Sequence, residues 1–252
     1  MRERSSNGRS SAQKWVRSQP RSGEPPAMII VCFPPAGGGG GSFAKLREVA
    51  AANAECVTVE LPGRMSRLAE PPVQSMSALA DHVAQSVLEA VEPRGIPYSF
   101  LGLCLGAVMA YETAVRVEAA GGNGLRSIVA AGSNAPQKGP PSVDDPIDFL
   151  RRMGSPEDVF ANPALLEMTL EILRSDLHLF HSYTCSGLRL KTPVSILYGR
   201  DDTLVDRTAI APWKDLATSI SVDELPGGHF FLDQNYDRLL SRLHGDLLDT
   251  PL

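Results

Sequence analysis

The sequence has few cysteines and no pattern of residues that would build a metal site. Its four cysteines lie far apart, without a Cys-x-x-Cys pair, at Cys32, Cys56, Cys104 and Cys185. In a chain of 252 residues, this spacing is typical of reduced thiols in a cytoplasm rather than of a disulfide framework. No cluster of histidine and acidic residues has the spacing of zinc ligands. We therefore predict a cytoplasmic protein that carries no metal and no cofactor of its own.

Three other absences limit the class of protein. No apolar run reaches the roughly 18 residues that a membrane-spanning helix needs. The net charge of −5 gives no general attraction to nucleic acid or to an anionic membrane, so we expect neither as a partner. The basic, serine-rich N-terminal stretch lacks the apolar segment of a secretory signal. We predict a disordered tail over residues 1–12 and a single folded domain over residues 13–252.

Short apolar runs alternate with helical patterns along most of the chain. The runs predict strands at residues 28–33, 56–61, 98–103, 127–131 and 194–198, with a short one inside 216–225. Helical spacing occurs at residues 42–49, with Ser42 as the N-cap, and at 77–91 and 107–120. This alternation predicts an α/β fold with a mostly parallel central sheet flanked by helices.

Residues from about 135 to 190 interrupt the alternation. They begin with a proline-rich stretch and contain helical patterns near residues 145–153 and 163–183, with no strong strand. Because this helical insertion lies between two predicted sheet strands, we expect it to form a lid.

The segment Gly102-Leu103-Cys104-Leu105-Gly106 lies between an apolar strand and a helix. It matches the G-x-S-x-G nucleophile elbow of α/β-hydrolases, with sulfur in place of the serine oxygen. The glycines suit a turn too tight for side chains, and the start of a helix favours negative charge on a thiol. We predict an α/β-hydrolase fold with Cys104 as nucleophile. The alternative is a buried structural cysteine at a glycine-lined helix start.

The other members of a catalytic triad are expected later in the chain, in the order acid and then histidine. Asp201 and Asp202 directly follow the strand at residues 194–198, where the acid belongs. We favour Asp202 and keep Asp201 as the alternative; either could instead serve as a turn residue. His229 lies in a glycine-rich loop after the last predicted strand, so we predict it as the general base.

The four remaining histidines are weaker candidates. His82 and His244 lie in helical patterns, where packing or surface positions are expected. His178 and His181 lie in the predicted lid; solvated helix positions are expected for both, with positions that line the pocket as the alternative.

The oxyanion hole needs two backbone N–H donors. One donor in this class is the residue after the nucleophile, here Leu105, and the other comes from the loop after an early strand. Pro34 and Pro35 cannot donate, which leaves Ala36 as the second donor. The glycine run that follows lacks the Lys-Ser/Thr of a phosphate-binding P-loop.

Together these motifs resemble those of the type II (external, editing) thioesterases of polyketide and nonribosomal peptide synthesis. The matching segments extend over nearly the whole chain and are Trp15-Val16-Arg17, Phe33 to Gly38, Leu61-Pro62-Gly63-Arg64 with Arg67, Leu173-Arg174-Ser175-Asp176 and Gly228-His229-Phe230-Phe231. The chain departs from the family at Leu103 and Cys104, which replace the usual His-Ser. It departs again at His181-Ser182-Tyr183, which lacks the acidic residue before the tyrosine.

The resemblance implies a thioesterase with a mobile helical lid that removes acyl groups from the phosphopantetheine arm of acyl or peptidyl carrier proteins. It implies Cys104 as nucleophile, Asp202 as acid and His229 as base. Phosphopantetheine then belongs to the substrate and is not a cofactor. Arg64 and Arg67 are expected on a solvated face, with contact to an acidic carrier protein as the alternative.

The cysteine leaves other functions open. An acyl-cysteine stays activated toward amines, so an acyltransferase or amide-forming cyclase is the first alternative to hydrolysis. The second alternative is a catalytically inactive scaffold that binds carrier proteins, although Asp202 and His229 would have no purpose there. A carboxylesterase or lipase of the same fold is a third reading, which the thioesterase-like segments oppose.

Overall fold

In the computed structural model, residues 15–18, 25–50 and 53–248 are described; the predicted tail at residues 1–12 lies outside them. The described residues form seven strands and seven α-helices. In chain order these are β1 (Val16–Ser18), β2 (Met28–Phe33), α1 (Ala44–Ala50), β3 (Ala54–Val59), α2 (Met76–Ala90), β4 (Tyr98–Leu103), α3 (Leu105–Ala119), β5 (Leu125–Ala131), α4 (Pro146–Met153), α5 (Glu157–Ala161), α6 (Pro163–His181), β6 (Val194–Gly199), β7 (Ile220–Leu225) and α7 (Tyr236–Leu248).

The strands form one sheet in the order β1-β3-β2-β4-β5-β6-β7. Only β1 is antiparallel, and the strands from β3 to β7 pair in parallel. Every residue of β2 and β3 is buried, as expected for parallel strands covered on both faces, and this burial explains their continuous apolar character. The predicted mostly parallel α/β sheet is confirmed.

Two local predictions near the start of the sheet are wrong. The strand predicted at residues 56–61 is β3, which begins and ends two residues earlier. Ser42 does not cap α1, because a 3₁₀ turn over Gly40–Phe43 precedes that helix and contains the serine. The Ser42 N–H donates to the carbonyl of Gly39 at 3.0 Å, so the glycine run enters the helix through this turn.

The short strand β1 was not predicted, because three residues carry too little periodicity. It pairs with the edge of β3, from Val16 opposite Val59 to Ser18 opposite Val57. Trp15 anchors it: the indole stacks on the His82 ring with centroids 4.9 Å apart. On the same indole lies the Arg67 guanidinium, 4.0 Å from the ring centroid.

The insertion between β5 and β6 contains the three helices α4, α5 and α6. The helical patterns near residues 145–153 and 163–183 correspond to α4 and α6, whereas α5 was not predicted separately. The first half of α6 is exposed or half-buried, and its buried residues begin only at Leu173. In the described part of the chain, no helix is long and apolar enough to cross a membrane.

Candidate active site

Cys104 occupies a strained turn between β4 and α3. Its backbone has φ 53° and ψ −117°, a conformation that non-glycine residues rarely adopt, and it is the N-cap residue of α3. A Cβ atom at Gly102 would lie 2.4 Å from Ala107 Cα, and one at Gly106 would lie 2.1 Å from the Phe33 carbonyl oxygen. The two glycines are therefore required by close backbone approach, which presents the thiol at the carboxyl end of the sheet.

The structure places Asp202 and His229 in direct contact. His229 Nδ1 and Asp202 Oδ2 are 2.8 Å apart, and Asp202 Oδ1 accepts the N–H of Leu204 at 2.8 Å. The Asp202 carboxylate is completely buried, with 0% of its side chain exposed, so its charge faces the imidazole without competition from solvent. Asp201, the alternative acid, is exposed and lies outside this contact.

Backbone contacts between two loops bring this pair together. The N–H of Asp201, in the loop after β6, donates to the Gly227 carbonyl in the loop after β7 at 2.9 Å. A Cβ atom at Gly199 would lie only 2.2 Å from the Gly228 carbonyl oxygen. The loop that carries the acid and the loop that carries the histidine are thus packed backbone to backbone.

Charge interactions set the protonation of His229. Burial lowers the pKa of this histidine, but the charge of Cys104 and the hydrogen bonds with Asp202 and Cys104 outweigh burial and raise the pKa to about 10. The imidazole therefore holds its proton at neutral pH.

Replacing Cys104 with alanine should lower the pKa of His229. The substitution removes the charge of Cys104 and its hydrogen bond, while burial continues to act in the opposite direction. The titration of the His229 ring, followed by NMR of a histidine-labelled sample, should move from about 10 to a lower pH. An unchanged His229 titration would contradict the charge coupling.

The two predicted oxyanion donors lie beside the thiol. Ala36 is 4% exposed and lines the same cavity as Cys104, and Leu105 is the first residue of α3. Among the described residues, neither of their N–H groups has a hydrogen-bond acceptor. The next residue, Gly37, differs, because its N–H donates to Asp176 Oδ2 at 2.8 Å.

The expectation that Arg64 and Arg67 lie on a solvated face is wrong. Their relative exposures are 6% and 5%. Arg64 forms two hydrogen bonds to the Asp176 carboxylate, with Nη1–Oδ2 at 2.8 Å and Nη2–Oδ1 at 2.5 Å. The family-like segments that contain Arg64 and Asp176 were the only sequence signal for this pair, and they gave no hint that the two residues meet.

A cavity of about 690 Å³ opens above the thiol. The lining residues from the insertion include the apolar Leu150, Met153 and Val159. The lining residues outside the insertion include the polar Ser42, Lys45 and Asp233. Cys104 and His229 line the cavity as well, so a ligand bound there can reach the sulfur.

The other four histidines lie outside this cavity. His82 stacks on Trp15, and His244 Nδ1 donates to the Leu240 carbonyl within α7 at 2.7 Å. His178 and His181 are exposed on α6, as expected for solvated helix positions.

The parallel sheet, the strained turn at Cys104 and the later Asp202–His229 contact define the α/β-hydrolase class. Within that class, the model of the thioesterase domain matches residues 28–247, so the chain belongs to the thioesterase domain family. It is a thioester hydrolase by family.

Curated relatives and solved structures agree with this assignment. The chain is 32% identical over 248 residues to the probable cadicidin biosynthesis thioesterase of Streptomyces griseus, covering 93% of this chain and 67% of that protein. It is 30% identical over 235 residues to thioesterase PikA5 of Streptomyces venezuelae, covering 89% and 82%. The structure of BorB, the type II thioesterase from the borrelidin biosynthetic cluster, superposes with a TM-score of 0.80 at 26% identity, covering 96% of this chain and 100% of that one.

Proposed function

We propose that this enzyme releases acyl groups from the phosphopantetheine thioesters of acyl or peptidyl carrier proteins in polyketide or nonribosomal peptide biosynthesis. The family match, the two Streptomyces relatives and the likeness to a type II thioesterase support this role. The observation that carries the mechanism is the 2.8 Å contact between Asp202 and His229, together with the cavity that His229 and Cys104 both line. Phosphopantetheine enters as part of the substrate.

Acylation begins from the thiolate of Cys104. Its sulfur attacks the thioester carbonyl carbon, and the carbonyl oxygen becomes an oxyanion that accepts the N–H groups of Ala36 and Leu105. The tetrahedral intermediate collapses by breaking its bond to the pantetheine sulfur. That leaving thiolate takes the proton from the His229 imidazolium, which yields acyl-Cys104 and free phosphopantetheine thiol.

Deacylation then needs an acceptor. His229, now neutral and held by Asp202, removes a proton from water as the water attacks the acyl-Cys104 carbonyl, and the carboxylic acid leaves with Cys104 restored. An amine is the alternative acceptor to water, and the sulfur of Cys104 favours it over what a serine oxygen would allow. Acylating a cysteine exchanges one thioester for another, so the acyl group remains activated for amide formation, whereas serine would form a more stable oxygen ester.

The apolar and polar residues that line the cavity suggest how the substrate is oriented. The acyl chain would pack against Leu150, Met153 and Val159 of α4 and α5, where apolar surface is available. The pantetheine arm would leave past Ser42 and Lys45, toward the carrier protein. In this arrangement α4, α5 and the first half of α6 act as a lid over the acyl chain.

The test is intact mass spectrometry after brief exposure to an acyl-pantetheine thioester, with a Cys104→Ala variant in parallel. We expect a mass gain equal to one acyl group in the wild type and no gain in the variant, because alanine has no nucleophilic atom. Adding an amine then separates the two acceptors. Free acid formed faster than amide supports hydrolysis, and the reverse supports transfer. No adduct and no thioester consumption would overturn both and favour a binding scaffold.

A further inference from the structure

A buried ion pair lies beneath the loop that carries Ala36. Arg64, in the loop after β3, and Asp176, in α6, have side chains only 6% and 4% exposed. Their two parallel hydrogen bonds form the bidentate arrangement in which a guanidinium and a carboxylate interact most strongly. The pair therefore links a loop of the sheet to a helix of the insertion.

The same two side chains also hold the backbone of the oxyanion loop. Asp176 Oδ2 accepts the N–H of Gly37 at 2.8 Å. Arg64 Nη1 donates to the carbonyl of Gly38 at 2.7 Å. The peptide unit that joins Ala36 to Gly37 is thus restrained through its donor, and the unit that joins Gly38 to Gly39 is restrained through its acceptor.

The loop needs such a restraint because of its composition. Five glycines in succession, Gly37 to Gly41, leave the backbone with more freedom than any other residue type would. Gly37 itself has φ +74°, and Leu173 of α6 packs on it, with Leu173 Cβ 3.5 Å from the position of an added Cβ. The turn bond from the Gly38 N–H to the Pro35 carbonyl, at 3.0 Å, is a local restraint on Ala36, and the contacts from α6 add to it.

Stability alone is a poor explanation for this pair. Burying two charges costs desolvation that their attraction often fails to offset, and apolar pairs of similar volume are frequently as stable. Arg64 Nε also lacks a hydrogen-bond partner among the described residues, which adds a further cost. The pair contributes little to the stability of the fold, but it contacts the oxyanion loop at two points. Its role is therefore better explained by the restraint that it places on the backbone of that loop.

We propose that Asp176, together with Arg64, is a positioning residue that orients the N–H of Ala36 toward the oxyanion. This role rests on the function proposed above. Asp176 accepts the N–H of Gly37 and fixes the peptide next to Ala36, so that Ala36 is the donor that this loop presents to the reacting carbonyl beside Leu105. Because Asp176 belongs to α6, the oxyanion hole is complete only when this part of the insertion is docked on the sheet.

The test is the double variant Arg64→Met/Asp176→Leu. It removes both charges together, because a single substitution would leave one buried charge unpaired. We expect kcat to fall by about 100-fold, as for a misplaced oxyanion donor, while KM changes by less than about threefold. The matched control is Arg94→Met/Glu55→Leu, which removes a part-buried ion pair next to the amino end of β3, away from the cavity. Its kcat should stay near that of the wild type.

A second variant covers the case in which the double variant does not fold. Arg64→Lys keeps the charge but loses the bidentate geometry, and kcat should fall by about 10-fold at unchanged KM. Hydrogen exchange at the Gly37 amide gives a readout independent of turnover, and the amide should lose protection in both variants. A folded double variant with wild-type kcat would overturn the proposal, as would unchanged Gly37 protection. If the wild type itself consumes no thioester, the proposed function fails, whereas Gly37 exchange still tests the restraint.

Discussion

Replacing His229 with glutamine should lower the rate of acyl-enzyme formation at neutral pH by about 10⁴-fold, the upper end of what general acid–base catalysis contributes. Glutamine keeps a polar side chain of similar length but cannot hold the proton that the pair with Asp202 stabilises. The leaving pantetheine sulfur then also lacks its proton donor. Stopped-flow measurement of pantetheine thiol release, with excess enzyme, isolates this step.

The pH dependence of the same variant provides the sharper test. A thiol without a base still ionises as the solution becomes alkaline, so the rate for His229→Gln should rise steadily with pH. His244→Gln is the matched control, since that histidine lies on α7 outside the cavity, and it should keep the wild-type rate and profile. If His229→Gln acylates at the wild-type rate at neutral pH, the histidine does not activate Cys104.

The second large effect is on stability. Replacing Gly106 with alanine would put a methyl group 2.1 Å from the Phe33 carbonyl oxygen. The methyl group is attached directly to the backbone of α3, and the atom that it meets belongs to the backbone of β2. Neither β2 nor α3 can give way without disturbing the sheet. We expect the free energy of unfolding to fall by about 3 kcal/mol or more. For a domain of this size, the midpoint of thermal unfolding should then fall by roughly 6–12 °C.

The matched control for this substitution is Gly245→Ala. Gly245 lies in α7, and an added Cβ there meets nothing within 4 Å. Because alanine favours helix over glycine, this variant should be more stable by about 0.5–1 kcal/mol. Scanning calorimetry should therefore show a lower unfolding midpoint for Gly106→Ala and a higher one for Gly245→Ala. An unchanged midpoint for Gly106→Ala would mean that the turn is less constrained than the contact distances indicate.

Local sequence signals predicted most of the fold and part of the site. The apolar runs of β2 and β4 gave these strands at their observed bounds, because strands buried on both faces leave little room for polar residues. The five residues around Cys104 predicted the turn, since the glycine spacing reflects close contacts of the backbone. In both cases the constraint is visible in the residue types of the segment itself, even where a distant strand causes it, as Phe33 does for Gly106.

Features that depend on contacts between distant residues could not be predicted from the sequence. The choice between Asp201 and Asp202 stayed open, because both follow β6 and only the fold shows which one meets His229. Arg64 was expected in solvent, since its partner Asp176 lies more than a hundred residues further along the chain. Roles in catalysis for Cys104 and for the oxyanion donors remain proposals for the experiments above.

The dispersal of the site over the sheet has a consequence for synthesis on the ribosome. The strands that frame Cys104, from β2 to β5, are complete before the insertion is made, whereas His229 follows β7 near the end of the chain. At roughly 5–20 residues per second, the histidine emerges on the order of ten seconds after the cysteine. During that interval the nascent chain has Cys104 without the two residues that the proposed mechanism pairs with it, Asp202 and His229. In the proposed mechanism, the thiol of the growing chain is therefore activated only after β7 and the loop that follows it have been made.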